Sequence, residues 1–126
     1  MHDIMPPVAA DAPVIQSYGP EGFRIGNRAY DTPVLLSPTA AHRWSGVLDI
    51  AMLAPVLDTW PPVELLLIGT GARHVMLDPT LREALKMRGI AVDSMNTGAA
   101  CRTFNILLGE GRRVAAALQL PGFGDI

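Results

Sequence analysis

The sequence predicts an α/β fold in a single domain: a mainly parallel central sheet with flanking helices, plus a small N-terminal antiparallel β element. Three observations predict it. The 126 residues are 49% hydrophobic and 17% charged, which is enough apolar chain for one packed core. Short alternating segments separated by Gly and Pro fill the first third. From residue 63 onward, continuous apolar runs alternate with helix signals, as is typical of parallel β-α-β units.

The first thirty residues predict a tail and a small meander. Residues 1–14 carry Pro and Ala without any period, so we expect a flexible N-terminal tail followed by one domain over residues 15–126. Short β segments at residues 14–18, 23–25 and 29–30 are separated by Gly, Pro and Asn. Those residues favour tight turns, and the segments therefore predict an antiparallel meander.

Two more β segments and a short helix are predicted before residue 60. Residues 34–36 are apolar and lie between prolines, which predicts a strand, and residues 42–44 predict a further extended piece. Residues 49–58 predict a helix that is capped by Asp49. Pro55 is expected to limit or kink that helix.

The second half predicts three strands and two helices. Residues 63–68 form an almost continuous apolar run, as expected for a strand that is buried on both faces. Asp78 followed by Pro79 predicts a helix start, and Gly89 predicts its end. The remaining pattern predicts a strand at residues 90–95, a helix with one apolar stripe at residues 98–108, and a strand at residues 114–120.

Composition excludes several classes of protein. Ten basic and twelve acidic residues give a formal charge of −2, which does not suit a strongly basic nucleic-acid binder. No apolar run reaches the ~18–20 residues of a membrane span. The single cysteine, Cys101, excludes an intrachain disulfide. Residues 1–14 contain no Arg or Lys, so neither a secretory signal nor a mitochondrial transit peptide is expected, and we predict a cytoplasmic protein.

Two turns that follow predicted strands are candidate binding elements: Gly69-Thr70-Gly71 and Asn96-Thr97-Gly98. Because the carboxyl ends of parallel strands meet at one edge of a sheet, the turns could line one crevice, where the helix start would attract a small anion. A dinucleotide fingerprint is not met, since position 74 is His74 rather than Gly. The alternative interpretation is structural, with a tight turn after a buried strand and an ordinary helix cap.

Side chains on and after the last predicted helix complete the candidate set. Arg102 and Asn105 lie away from the apolar stripe, so they could face a ligand, a partner or water, and Arg112 would join them on a binding face. Cys101 lies on that stripe; it is either a thiolate with His74 as its base or, as we favour, a buried inert thiol. No catalytic residue, metal ligand or cofactor is expected, because HExxH, GxSxG and Cys/His clusters are missing from the sequence.

The chain also carries the motifs of a known family. In chain order they are Tyr18-Gly19 with Gly22-Phe23-Arg24-Ile25, Gly69-Thr70-Gly71, Arg88-Gly89-Ile90, Asn96-Thr97-Gly98-Ala99-Ala100, Arg102-Thr103-Phe104-Asn105 and Glu110-Gly111-Arg112-Arg113-Val114. With them, residues 15–120 resemble the family of the domain of unknown function 498. The resemblance implies a compact α/β fold and no established enzyme activity. Mitochondrial members act through protein partners during assembly of respiratory complex I; without their targeting region, this chain resembles a bacterial member.

Three functions stay open at this point. We favour a non-enzymatic protein-interaction or assembly-factor-like domain, whose protein partners would include respiratory-complex assembly components. The alternative is a small-molecule (anion) binding protein or an unrecognised enzyme that uses the crevice at the carboxyl ends of the strands. A third is a homodimer joined through a strand edge or an apolar patch. No nucleic-acid partner is expected.

Overall fold

A five-stranded sheet and a smaller three-stranded sheet organise residues 12–125, the part of the chain that the computed structural model describes. Residues 1–11 of the predicted tail lie outside the described residues. The strands are β1 (Ile15–Gly19), β2 (Gly22–Ile25), β3 (Arg28–Tyr30), β4 (Val34–Leu36), β5 (Ala41–Arg43), β6 (Leu65–Gly69), β7 (Ala91–Met95) and β8 (Val114–Leu118). The helices are α1 (Ala54–Leu57), α2 (Pro79–Met87) and α3 (Thr97–Gly109).

The small sheet is the predicted antiparallel meander, with β2 paired to both β1 and β3. Gly26 and Asn27 connect β2 to β3, and both have positive φ angles, 56° and 69°. A two-residue turn of this kind matches the right-handed twist of the strands that it joins. Ile15, Phe23 and Ile25 are buried, so one face of this sheet packs against the rest of the domain.

The large sheet has the order β5-β4-β8-β6-β7. β6 pairs in parallel with β7 and with β8, as the β-α-β pattern predicts. β4 pairs antiparallel with β8, and β5 pairs antiparallel with β4. The α/β fold is therefore confirmed, and its central sheet is mixed: a parallel half that carries the helical crossovers is extended by two antiparallel strands.

Both faces of the large sheet are covered. On one face Leu67 and Ala116 pack with Phe104 of α3 and with the small sheet. On the other face Leu66 and Ala117 pack with residues of α1 and α2. The crossover from β6 to β7 and the crossover from β7 to β8 run in opposite directions across the sheet, so right-handed connections place α2 and α3 on opposite faces.

The helix ends follow the predicted signals. Asp78 accepts a hydrogen bond from the Thr80 backbone N–H at 2.9 Å, and Pro79 occupies the first turn of α2. Gly89, with φ of +76°, directly follows the last turn of that helix. Asn96 caps α3 by accepting from the Ala99 N–H at 2.8 Å.

The predicted helix at residues 49–58 is shorter in the structure. Only Ala54–Leu57 is α-helical, and Pro55 lies in its first turn, where the missing N–H of proline is tolerated. Asp49 accepts from the Ala51 N–H at 2.7 Å, but it does so in a turn that precedes the helix. Pro55 therefore helps to start α1 rather than to limit it.

A larger side chain at position 116 tests the two-sided packing of β8, because every residue of β8 is fully buried. We expect Ala116→Leu to lower the free energy of unfolding by about 1–3 kcal/mol through overpacking, as measured by urea denaturation. Ala91→Leu makes the same exchange at an exposed position of β7 and should change stability by less than about 0.5 kcal/mol. Equal stabilities of the two variants would contradict close packing on β8.

Candidate functional site

The two predicted turns meet at the carboxyl edge of the parallel strands. Gly69-Thr70-Gly71 begins with the last residue of β6, and Asn96-Thr97-Gly98 follows β7. The Thr70 N–H donates to the Met95 carbonyl and the Thr97 N–H donates to the Gly71 carbonyl, each at 2.9 Å. Backbone hydrogen bonds therefore join the turns directly.

A buried hydroxyl completes this junction. The Thr97 side chain is fully buried, and its Oγ1 accepts from the Gly71 N–H at 2.8 Å and donates to the Gln119 carbonyl at 2.9 Å. The Thr97 hydroxyl and the Gly71 N–H thus find their partners within the chain, as the interpretation of these segments as a tight turn and a helix cap expects. Anion binding there stays a prediction.

The glycines of the first turn are required by close approach. A Cβ at Gly69 would lie 2.9 Å from Thr97 Oγ1 and 3.0 Å from Thr97 Cα. Gly71 has a φ of +106°, and a Cβ there would lie 2.4 Å from the Phe123 carbonyl oxygen. A side chain at either position would push apart the segments that the threonine holds together.

Arg102 and Tyr18 cover the start of α3. Arg102 Nη1 donates to the Tyr18 hydroxyl at 2.6 Å. A Cβ at Gly98 would lie 3.3 Å from Tyr18 Oη, so the tyrosine rests directly over this glycine. Asn96, which is exposed, is the helix cap already described. Arg102 thus links α3 to the small sheet.

Asn105 ties the small sheet to the same helix. Its Oδ1 accepts from the Ile15 N–H at 2.9 Å, and its Nδ2 donates to the Ile15 carbonyl at 2.8 Å. Helical position alone did not reveal this role. One available signal is that asparagine is a poor helix former, so an Asn within a helix calls for a compensating contact.

Arg112 lies at the opposite end of the parallel strands, beside the amino ends of β6 and β8. Its Nε donates to Glu64 Oε1 at 2.6 Å, and this hydrogen bond lowers the pKa of Glu64. Arg112 also lines a pocket of about 280 Å³ with Arg113 and the exposed Trp60. The nine candidate residues therefore do not converge on one site.

An open cleft lies beside the first turn, on the face of the sheet that carries α2. It has a volume of about 240 Å³, and Gly69 and Thr70 line it together with Trp44, Met76 and Phe123. A second cleft of about 290 Å³ adjoins it, because both are lined by Leu48, Asp78 and Leu81. We call these two clefts together the apolar groove.

Sequence reasoning missed the apolar groove. Its walls come from four separated segments of the chain: residues 44–50, 69–84, Gln119 and Phe123. The available signal was the apolar pair Val75 and Met76, which follows a strand and its turn where polar residues are usual.

Nucleophilic chemistry at Cys101 is disfavoured by burial. The thiol is 1% exposed, and desolvation raises its pKa to about 12, so the thiolate is scarce at neutral pH. His74 bonds instead to Ser94, with Nε2 and Oγ 2.9 Å apart on the exposed surface. Among residues 12–125, no three His, Cys, Asp or Glu side chains are grouped to hold a metal ion.

Removing the Thr97 hydroxyl should weaken the junction between the turns. We expect Thr97→Val to lower the free energy of unfolding by about 1–3 kcal/mol, because the Gly71 N–H and the Gln119 carbonyl both lose their partner. Thr103→Val is the matched control on the same helix, since the Thr103 hydroxyl donates to the Ala99 carbonyl, a helix acceptor, at 2.9 Å. Urea denaturation that shows equal losses would contradict a special role for Thr97.

The raised pKa of Cys101 predicts a pH dependence. Above pH 9, the ordinary pKa of an unburied thiol, the unfolded chain loses the thiol proton while the folded chain keeps it until about pH 12. Between pH 9 and pH 12, the free energy of unfolding of the wild type should therefore fall with rising pH. The fall should be steeper than that of Cys101→Ala by up to about 1.4 kcal/mol per pH unit. Parallel pH–stability curves for the two proteins would show that burial does not hold the proton.

The chain is similar to proteins of vertebrates and of bacteria. It is 38% identical over 126 residues to the zebrafish protein NADH dehydrogenase (ubiquinone) 1 alpha subcomplex assembly factor 3, a match that covers 97% of this chain and 72% of that protein. It is 39% identical to an uncharacterized protein of Rhodobacter capsulatus, with 92% of each chain covered.

Comparison with solved structures supports the same relationship. A crystal structure described as an outer membrane protein from Bartonella henselae superposes with a TM-score of 0.80 at 35% identity, covering 88% of this chain and 97% of that one. Within residues 12–125, no helix has the length and apolar character needed to cross a membrane. Residues 15–119 match the family described as protein of unknown function DUF498/DUF598, and the chain belongs to that family.

Proposed function

We propose that this protein is an assembly-factor-like domain that binds protein partners while a respiratory NADH dehydrogenase is being put together. The observation that carries the proposal is the 38% identity to the zebrafish assembly factor across 97% of this chain. Identity at that level over nearly the whole domain goes beyond a shared fold.

The internal bonding of the polar candidates supports a binding role over a catalytic one. Thr97, Arg102 and Asn105 hold the turns and the small sheet in place. The apolar groove, which adjoins the first turn on the face of the sheet that carries α2, presents large apolar side chains, which suit contact with another protein. We therefore propose a non-enzymatic role for the domain.

A cytoplasmic location belongs to the same proposal. The Bartonella henselae structure is described as an outer membrane protein, so the location proposed for this chain differs from the one in that description. Fractionation of cells that produce the chain at native levels decides between the two: the proposal expects it in the cytoplasmic fraction and at the inner face of the membrane that holds the dehydrogenase.

Complementation in Rhodobacter capsulatus tests the proposed function, because the relative there covers 92% of both chains. In a strain that lacks this relative, we expect less assembled NADH dehydrogenase on native gels and lower NADH–ubiquinone activity in membranes. This chain, supplied on a plasmid, should restore both, since it would bind the same assembly partners.

Succinate dehydrogenase activity in the same membranes is the control, because a general membrane defect would lower both activities. Normal NADH dehydrogenase in the deletion strain, or a deficit that this chain leaves uncorrected, would contradict the proposal.

A further inference from the structure

We infer that the apolar groove receives a segment of a partner protein in which large apolar side chains lie next to a Lys or Arg. The inference rests on the proposed function, and it specifies the chemistry of the partner. It is carried by three features of the groove: the apolar side chains around it, the fixed backbone that presents them, and the sign of its charge.

Large apolar side chains surround the groove in contact with water. Met76 is 78% exposed, Val75 and Phe123 are each 57% exposed, and Leu48 is 36% exposed. All four line the first cleft, so they form one surface rather than scattered positions. A contiguous apolar surface of this kind marks an interaction site, because water contact with it is unfavourable until a partner covers it.

The loop that carries Val75 is held by a single hydroxyl. Thr70 Oγ1 donates to the Arg73 carbonyl at 2.6 Å and accepts from the Val75 N–H at 3.0 Å. The loop therefore has a defined backbone before any partner arrives. Binding costs less when the backbone is already ordered, so this surface is prepared for docking.

Hydrogen bonds also fix the segments that carry Leu48 and Phe123. Trp44 Nε1 donates to the Val47 carbonyl at 3.1 Å, which fixes the loop that leads to Leu48. The Ala72 N–H donates to the Phe123 carbonyl at 2.9 Å, which fixes the C-terminal wall. Val75 and Phe123 thus sit on backbone that is hydrogen-bonded to other residues of the chain, and Leu48 directly follows such a residue.

The charged side chains that line the groove are both carboxylates, Asp49 and Asp78, and among residues 12–125 no Lys, Arg or His lines either cleft. Each carboxylate uses Oδ1 to accept a backbone N–H, from Ala51 and from Thr80 respectively, so its position is fixed. A basic side chain next to the partner's apolar residues complements this charge, whereas an acidic one is repelled.

The end of α2 in a second copy of this chain is a poorer occupant. Its exposed Met87 lies between Lys86 and Arg88, which is the right chemistry. However, Arg88 already pairs with Asp58 at 2.5 Å, and one methionine offers a single apolar side chain to two adjoining clefts. A segment with several apolar residues fills the groove better.

Selection of peptides on the purified full-length chain tests the inference without reference to cellular function. The probe is a phage-displayed library of random peptides, and the most enriched sequence is then made synthetically and titrated by fluorescence anisotropy. We expect enriched peptides to share two or more Leu, Ile, Met or Phe residues next to a Lys or Arg.

Matched variants locate the bound peptide. Met76→Glu should weaken binding at least about tenfold, whereas Met87→Glu, at a methionine that is equally exposed but outside the groove, should leave it unchanged. Asp49→Asn with Asp78→Asn should weaken binding about three- to tenfold, since Asn keeps both backbone caps and removes only the charge. Urea denaturation confirms that each variant is folded.

Several results would overturn the inference: no enriched consensus, a consensus rich in Asp or Glu, or unchanged affinity in Met76→Glu. Analytical ultracentrifugation that finds a dimer dissociated by Met76→Glu would show a second copy in the groove and would overturn it as well. The complementation experiment separates the two proposals. If the wild-type chain restores the NADH dehydrogenase and Met76→Glu does not, both proposals are supported. If Met76→Glu restores it fully, the inference about the groove is overturned and the proposed function stands.

Discussion

The hydroxyl of Thr97 holds together the edge of the sheet on which the rest of the structure depends. It accepts from Gly71, which follows β6, and donates to Gln119, which follows β8, while its own residue begins α3. The ends of two strands and the start of one helix therefore meet at one fully buried threonine. Buried N–H and carbonyl groups are costly without partners, so this oxygen fixes where each chain segment leaves the sheet.

The second constraint is the small size of the residues in β8. Ala115, Ala116 and Ala117 alternate between two covered faces, so layers of side chains pack on either side of a strand that itself contributes little volume. This leaves room for α3 together with the small sheet on one face. Asn105 then attaches that sheet through both backbone groups of Ile15. Polar side chains here act as connectors between layers.

Much of the fold is predictable from the sequence because its signals are local. The Asp78-Pro79 start, the Gly89 end and the Asn96 cap each depend on neighbouring backbone groups, and all three are found in the structure. The apolar run at residues 63–68 identified a doubly covered strand for the same reason. The antiparallel pairing of β4 with β8 is a long-range property, and no local pattern determines it.

The candidate residues were harder to interpret for a related physical reason. Helical position shows whether Asn105 faces away from the apolar stripe, but not that a strand lies there to meet it. Arg112 was placed on one binding face with Arg102 and Asn105, although it follows the end of α3 and pairs with Glu64 at the amino ends of β6 and β8. The apolar groove was missed because segments distant in sequence form it only after folding. Local patterns identify elements, whereas a surface belongs to the assembled fold.

The same hydrogen bonds that fix the fold also determine the character of the exposed surface. The Thr70 hydroxyl holds the backbone of the loop at Val75 by a hydrogen bond. The side chain of the next residue, Met76, extends into water and has three rotatable bonds. A rigid backbone keeps the ordering cost of binding low, and a flexible thioether adapts to partners of different shape. The proposed assembly-factor role requires this protein to bind its partner and later release it. A fixed frame with adaptable apolar side chains suits that task, because it offers contact area without the exact complementarity of a permanent subunit interface.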